Sequence, residues 1–349
     1  MKSRNIGLLR LSAFGDVVLC VPVVRTLQHC FPQDKITWIT SPSSYEILKG
    51  LSGVEFIVID KPSNPVDYWK IYRQLKPYRF DILLAMQASF RANLFYPLLS
   101  AGRKVGFDKM RARDGHHCFI HEAIPSAKEH LLDGFMRFAE AAGCCEKLYR
   151  WDLDISDEDE AWVKQNLPLS FQGKKILAIN PSASKRERNW LTERYVEVIR
   201  QAKKRWSIEV VLTGGPSEEE KKLAEAIMGQ LDPPILNWVG KTTPKQLAAV
   251  LRGVDVLLSP DTGPLHLAGA VGTPVIGLYA VAPSTLSGPY FSRDLTIDKF
   301  PEAVKTILKK DPDNIPWGTR VHSQEAMALI TVDDVIRKLG KFFTLVPKN

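Results

Sequence analysis

The sequence predicts an α/β protein built from two doubly wound domains, and three observations carry that prediction. Strand-length apolar runs alternate with helix-length segments, each half starts that alternation afresh from its own buried strand, and the informative polar motifs fall just after strand ends. With 349 residues the chain has room for two hydrophobic cores. Hydrophobic residues at 45% and charged residues at 25% are ordinary for a globular protein.

The aliphatic run from Ile6 to Leu11 reads as the first strand, and Val17 to Leu27 as the apolar side of a helix over 16–30. Ser12, Ala13 and Gly15 suit the tight turn between them. Asp16 then stands at the helix N-terminus, as a cap for the first free N–H groups or as a chemical group at a ligand-binding edge. "KITWIT" (35–40), "VEFIVI" (54–59) and "FDILLAM" (80–86) continue as strands, separated by helices near 43–50 and 66–76. A helix over 127–143 stops at Gly143. The stretch 151–175, acidic and then Pro/Gly-containing, reads as a helix plus linker.

The second half opens with "KILAINPSAS" (175–184), a strand running into small residues. Helices follow at 193–206, 217–230 and 244–252, with strands at 209–215, 235–240, 255–260 and 274–279. After about 280 the pattern is irregular, and it ends in a helix over 331–343.

The formal net charge of +8 points to an anionic partner without naming one. Its densest piece, "RKVGFDKMRARDGHH" (103–117), reads either as a solvated loop or as an anion-binding surface. No segment approaches the ~20 apolar residues of a membrane span. Lys2 and Arg4 before an apolar stretch imitate a signal peptide, but Arg10 and Asp16 interrupt that stretch. Five cysteines without a C-x-x-C spacing read as reduced thiols of a cytoplasmic protein.

"SPDTGPLHLAGAVGTPVIGLY" (259–279) carries the clearest ligand signature. Asp261 and Thr262 are positioned to cap a helix with Gly263 and Pro264 in its first turn, where proline is favoured. The N–H groups and dipole of such an end suit a phosphate, and His266 falls within a turn of it. Asp261 is an awkward neighbour for phosphate, so capping or bonding a neutral donor suits it better. In "NPSASKRERNW" (180–190), Ser182, Ser184, Lys185, Arg186 and Arg188 offer further donors to phosphate oxygens. Neither a P-loop nor a G-x-G-x-x-G fingerprint is present, and the D-x-D spacings at 152–154, 157–159 and 311–313 lie outside strand ends, so no metal is expected.

Together, "RLSAFGDVVLCVPVVRTLQ", "NPSASKRERNWLTERY" and "SPDTGPLHLAGAVGTPVIGLYA" resemble the lipopolysaccharide heptosyltransferases of glycosyltransferase family 9, with "LLAMQASFRANL" (83–94) and "PWGTR" (316–320) adding to the likeness. The likeness spans nearly the whole chain and is nearest to members that add the first heptose to the Kdo of the inner core. It implies a GT-B fold, two Rossmann-like domains facing a cleft. On that plan residues 1–165 bind acceptor, 175–325 bind the nucleotide sugar, and the helix in 326–349 crosses back to the first domain.

The resemblance also assigns roles. Asp16 becomes the general base of an inverting transfer from ADP-heptose, and Arg188 steadies the leaving diphosphate. Ser184, Lys185, Arg188, Glu218, Asp261, Thr262, Gly263 and His266 would surround the donor. Ser12, Gln87, Arg91, Lys109, Arg111 and Arg113 would meet a Kdo–lipid A acceptor rich in carboxylate and phosphate. No cofactor is implied. No lipid-inserting helix is evident from the pattern, so association with the anionic cytoplasmic face of the inner membrane would be peripheral and electrostatic. Arg188 and Ala183 depart from a family pattern that often has lysine and a hydroxyl residue there, which leaves the donor sugar less defined than the fold. A transferase of another activated sugar is the alternative. A nucleic-acid-binding role rests on charge alone, without a recognition motif or aromatic residues interleaved with the basic stretch.

Overall fold

The structure, a computed structural model, describes residues 3–345. It divides into two compact units, Met1–Asp154 and Ile155–Asn349. The first is built on β1 (Asn5–Leu9), β2 (Lys35–Thr40), β3 (Val54–Val58), β4 (Arg79–Leu84), β5 (Ser100–Gly106) and β6 (Glu122–Ala123). Its longer helices are α1 (Phe14–Cys30), α2 (Pro42–Leu48), α3 (Pro65–Leu75) and α4 (Leu131–Ala141). All strand pairs are parallel, in the order β3-β2-β1-β4-β5-β6. Parallel strands covered on both faces must be apolar along their length, and the completely buried Ile6, Leu8, Leu9 and Trp38 meet that demand.

The second unit repeats the plan. Its strands are β7 (Ile176–Ile179), β8 (Glu209–Leu212), β9 (Leu236–Asn237), β10 (Val256–Pro260), β11 (Val275–Tyr279) and β12 (Ile297–Asp298). They are parallel in the order β12-β11-β10-β7-β8-β9, which is the first sheet's order counted from β7. Its longer helices are α5 (Asp157–Asn166), α6 (Thr192–Trp206), α7 (Glu218–Met228), α8 (Pro244–Arg252), α9 (Gly263–Ala270) and α10 (Val332–Leu345).

Three assignments differ from the sequence reading. The unit boundary falls before α5, not at 165: Trp162 packs against Trp238 with ring centroids 5.4 Å apart, and Glu160 pairs with Arg252. Burying that tryptophan face ties the acidic helix to the second core. The final helix also belongs to the second unit, because Val335, Ile336 and Leu339 enter the cluster that contains Tyr195 and Ile199 of α6. The head of the basic stretch is strand β5 and not loop, its exposed Arg103 paired with Glu122 of β6 at 2.7 Å. A polar strand beside a two-residue edge strand carries no apolar signature.

Candidate active site

In a sheet of this order the connections leave the first strand and its neighbour β4 in opposite directions, opening a crevice at their C-terminal ends. The second unit has the corresponding crevice between β7 and β10. The Asp16 turn lies at the first crevice, and the loops after β7 and β10 lie at the second.

At the end of β1, the chain turns through Arg10–Ala13 into α1, whose N-cap is Ala13. Asp16 lies in the first turn, 29% of its side chain exposed, and its Oδ2 accepts a hydrogen bond from Arg10 Nη2. Arg10 is nearly buried, donates to the carbonyl of Met86 at 2.6 Å, and lies over the ring of Phe135 at 5.3 Å. A buried guanidinium needs an anion, and Asp16 supplies it. Gln87 completes the corner: its Oε1 accepts from the backbone N–H of Leu11 (2.7 Å) and of Ser12 (3.3 Å). Its own carbonyl accepts from Tyr96 at 2.6 Å. The ends of β1 and β4 are therefore tied by side chains, and the exposed Ser12 hydroxyl sits at the rim.

Beyond β4, Asn93 donates to the carbonyls of Arg113 (3.1 Å) and Asp114 (2.9 Å), while the Asp114 carboxylate accepts from the N–H of Phe90 at 2.8 Å. These bonds bring the segments of Arg91 and Arg113 together, and both side chains are exposed, as is Lys109. Arg111 stands apart: it is spent on Asp108, on Glu129 at 3.1 Å and on the carbonyl of Pro125 at 2.7 Å. Three of its five N–H donors are engaged there, and 15% of the side chain is exposed.

In the second unit, Arg188 Nη1 lies 3.0 Å from Asp261 Oδ2, joining the loop after β7 to the end of β10. Asp261 is almost buried, and its Oδ1 accepts from the hydroxyls of Tyr279 (3.3 Å) and Ser287 (3.2 Å). Burial, with this carboxylate beside it, raises the Tyr279 phenol well above its ordinary value, so it stays a donor. Arg188 Nε is buried without a partner among the described residues, as is Asn180 Oδ1 at the end of β7. The Ala183 N–H donates to Asn189 at 2.8 Å and closes a loop that leaves Ser184 and Lys185 exposed. Thr262 is the N-cap of α9, Gly263 opens that helix, and His266 is buried one turn in.

Two capping roles change with these positions. Asp16 is not the N-cap, and its carboxylate is turned to Arg10. Asp261 does not cap α9 either, because Arg188 and two hydroxyls occupy it; Thr262 sits at the cap without a side-chain cap bond. Glu218 begins α7 with 76% of its side chain exposed and pairs with Lys221 at 2.9 Å. The carboxylate that folds back on the loop is Glu220, which accepts from Gly215 N–H (2.8 Å) and Ser217 (2.7 Å). Arg10, Tyr279 and Ser287 escaped the sequence reading. Arg10 had a visible signal, a cation inside a core strand run six residues before an acid; the other two had none.

Comparison with known proteins places this geometry in a family. Residues 68–311 match the model of glycosyltransferase family 9 (heptosyltransferase), a span that holds Gln87, Arg188 and Asp261 but starts after the Arg10–Asp16 turn. Lipopolysaccharide core heptosyltransferase OpsX of Haemophilus influenzae is 36% identical over 97% of this chain and 98% of its own. Among solved structures, a family 9 glycosyl transferase from Veillonella parvula superposes with a TM-score of 0.79 at 18% identity, covering 98% of both chains. E. coli heptosyltransferase WaaC with ADP gives 0.71 at 19% identity, over 97% of this chain and 99% of that one.

Proposed function

Because the chain belongs to glycosyltransferase family 9, the heptosyltransferases, we propose that it transfers heptose from ADP-L-glycero-D-manno-heptose to the Kdo of the lipopolysaccharide inner core. The name of the Haemophilus relative supports the core acceptor, and the ADP in the E. coli structure supports the nucleotide. The observation that carries the reading is Asp16 itself, an acid held by a buried arginine at the switch point of the first sheet.

Arg10 occupies Oδ2 and fixes the carboxylate, leaving the other oxygen for an acceptor hydroxyl. That oxygen takes the hydroxyl proton as the acceptor oxygen bonds to the anomeric carbon from the face opposite the diphosphate. The bond from the anomeric carbon to the diphosphate breaks, and ADP leaves with the electron pair. An aspartate is a weak base, which suffices when proton transfer is late and the new bond has acidified the hydroxyl. Arg188, with its unused Nε, and the exposed Lys185 and Ser184 supply positive charge and donors to the departing diphosphate. Gly263 at the N-terminus of α9 adds a backbone donor, and Thr262 a hydroxyl not used in capping. Arg91, Lys109 and Arg113 offer exposed cations to acceptor carboxylates and phosphates, with Ser12 and Gln87 at the crevice.

Among the described residues no helix is long and apolar enough to cross a membrane. Our reading places the enzyme peripherally at the cytoplasmic face of the inner membrane, where its acceptor would be presented. The decisive assay incubates purified protein with ADP-heptose and Kdo–lipid A and weighs the product. One added heptose with release of ADP is the expected result. Transfer only from a different nucleotide sugar would replace the donor, and no transfer would reject the reading.

A further inference from the structure

The helix α3 covers one face of the first sheet, and its inner side is accounted for: Ile71 and Leu75 are buried in a cluster with Leu9, Ile57 and Phe95, and Tyr68 packs against it. The other side is unusual. At 100° per residue, Tyr72, Lys76, Trp69, Arg73, Val66 and Lys70 follow one another around the outer arc, three apolar groups interleaved with three cations. Trp69 is 55% exposed, and Val66 and Tyr72 are exposed with it. The guanidinium of Arg73 lies 4.8 Å from the Trp69 ring centroid, so cation and aromatic stand side by side on the surface. The only acid of the helix, Asp67, is turned back to the Ser63 hydroxyl and N–H at its own N-terminus. The same sheet face is covered by the segment after β4, joined to α3 through Tyr68 and Phe95, whose rings are 5.9 Å apart. That segment exposes Phe90 at 67%, beside Arg91.

The outer face therefore presents three exposed apolar side chains with three cations between them. Tryptophan and tyrosine rings favour the headgroup level of a bilayer, and lysine and arginine beside them favour anionic lipid. We propose that the outer face of α3 is a docking surface for an anionic lipid bilayer, inserting Trp69, Tyr72 and Val66 among headgroups while Lys70, Arg73 and Lys76 meet lipid phosphates. The proposal rests on the reading of a membrane-borne acceptor, and it replaces a purely electrostatic attachment by one with an apolar component. The interleaving of charge and apolar groups is what selects a lipid surface over a second copy of the chain: two such faces would set like charges against each other.

The test is flotation of the full-length protein, without donor or acceptor, on vesicles of phosphatidylcholine alone or mixed with phosphatidylglycerol. The wild type is expected to float with the mixed vesicles and to be only partly released by salt, the residue being the apolar component. V66S/W69S/Y72S is expected to lower partitioning at least about ten-fold and leave what remains fully salt-sensitive. K70Q/R73Q/K76Q is expected to lower it roughly 100-fold, about five-fold per cation. Both variants should keep wild-type melting and wild-type turnover on a deacylated, soluble acceptor, which separates loss of docking from loss of fold. Wild-type protein that does not float, or an apolar triple variant that floats as well as the wild type, overturns the proposal whatever the transferase assay gives. So does a wild-type dimer in sedimentation that V66S/W69S/Y72S dissolves. Since vesicle binding requires no sugar chemistry, failure of the heptose reading leaves this result to be judged alone.

Discussion

Replacing Asp16 by asparagine removes a charge and keeps a shape, which makes it the sharpest test of the first-unit crevice. The structural cost can be bounded from the pair it belongs to. Arg10 is 10% exposed and Asp16 29%, between a fully buried pair, whose breaking costs ~3–5 kcal/mol, and an exposed one worth at most about 1. Arg10 retains the Met86 carbonyl and the Phe135 ring, and the asparagine oxygen still accepts from it. A loss of about 2 kcal/mol follows, or roughly 4–8 °C of melting temperature for a unit of this size. The chemical cost is larger. Loss of a general base lowers turnover by ~10²–10⁴-fold, about 3–5 kcal/mol of barrier. The measurements are kcat by ADP release at a temperature well below melting, and ADP affinity by calorimetry. Turnover should fall at least about 100-fold while ADP affinity changes less than about two-fold, because the diphosphate donors belong to the other unit. A kcat within about three-fold of wild type would leave Asp16 as the counterion of Arg10 and nothing more.

Arg188→Ala is expected to weaken ADP binding and turnover together, and to destabilise the second unit by about 3 kcal/mol, since Asp261 keeps only two hydroxyl partners; unchanged ADP affinity would remove Arg188 from the donor site. His116 supplies a pH prediction. Its Nε2 accepts from Phe107 N–H at 3.2 Å and its Nδ1 faces Asn93 Oδ1 at 2.8 Å, and burial, aided by neighbouring His117, lowers its pKa from 6.5 to about 4. The unfolded chain therefore binds this proton first, so stability complete above about pH 6.5 declines towards pH 4, by about 2–3 kcal/mol. His116→Gln should flatten that part of the melting curve against pH, and an unchanged slope would refute the assignment. Transfer should persist in excess EDTA, because Arg188, Lys185 and the α9 N-terminus offer the diphosphate positive charge; abolition with rescue by Mg²⁺ would require a cation in the step.

The fold was legible because a parallel sheet leaves a strong trace. Its buried strands are continuous apolar runs, and its turns concentrate small and polar residues, so β1, β2, β4, β7, β10 and β11 and the helices between them stand close to where the alternation puts them. What lacked that trace was missed: β5 and β6 are polar and β12 is two residues long, while the strand read over 235–240 shortens to Leu236–Asn237. The segment of α3 was legible as helix, but that Trp69 and Tyr72 lie on its exposed face is decided by the packing of Ile71 and Leu75 against the sheet.

By itself the sequence determined the α/β class, the two units, the family resemblance, and the positions of Asp16, Arg188 and Asp261 at strand ends, all properties written in local order and spacing. Only the tertiary structure decided the partners: that Asp16 answers Arg10 and not a helix end, that Asp261 holds Arg188 instead of capping α9, and that Arg111 pairs with Asp108 and Glu129. It also assigned α5 and α10 to the second core. The reason is common to all of these. A charged side chain approaching burial takes whichever opposite charge the fold brings within hydrogen-bond reach, and an apolar helix face takes whichever core lies against it, and neither neighbour is specified by distance along the chain.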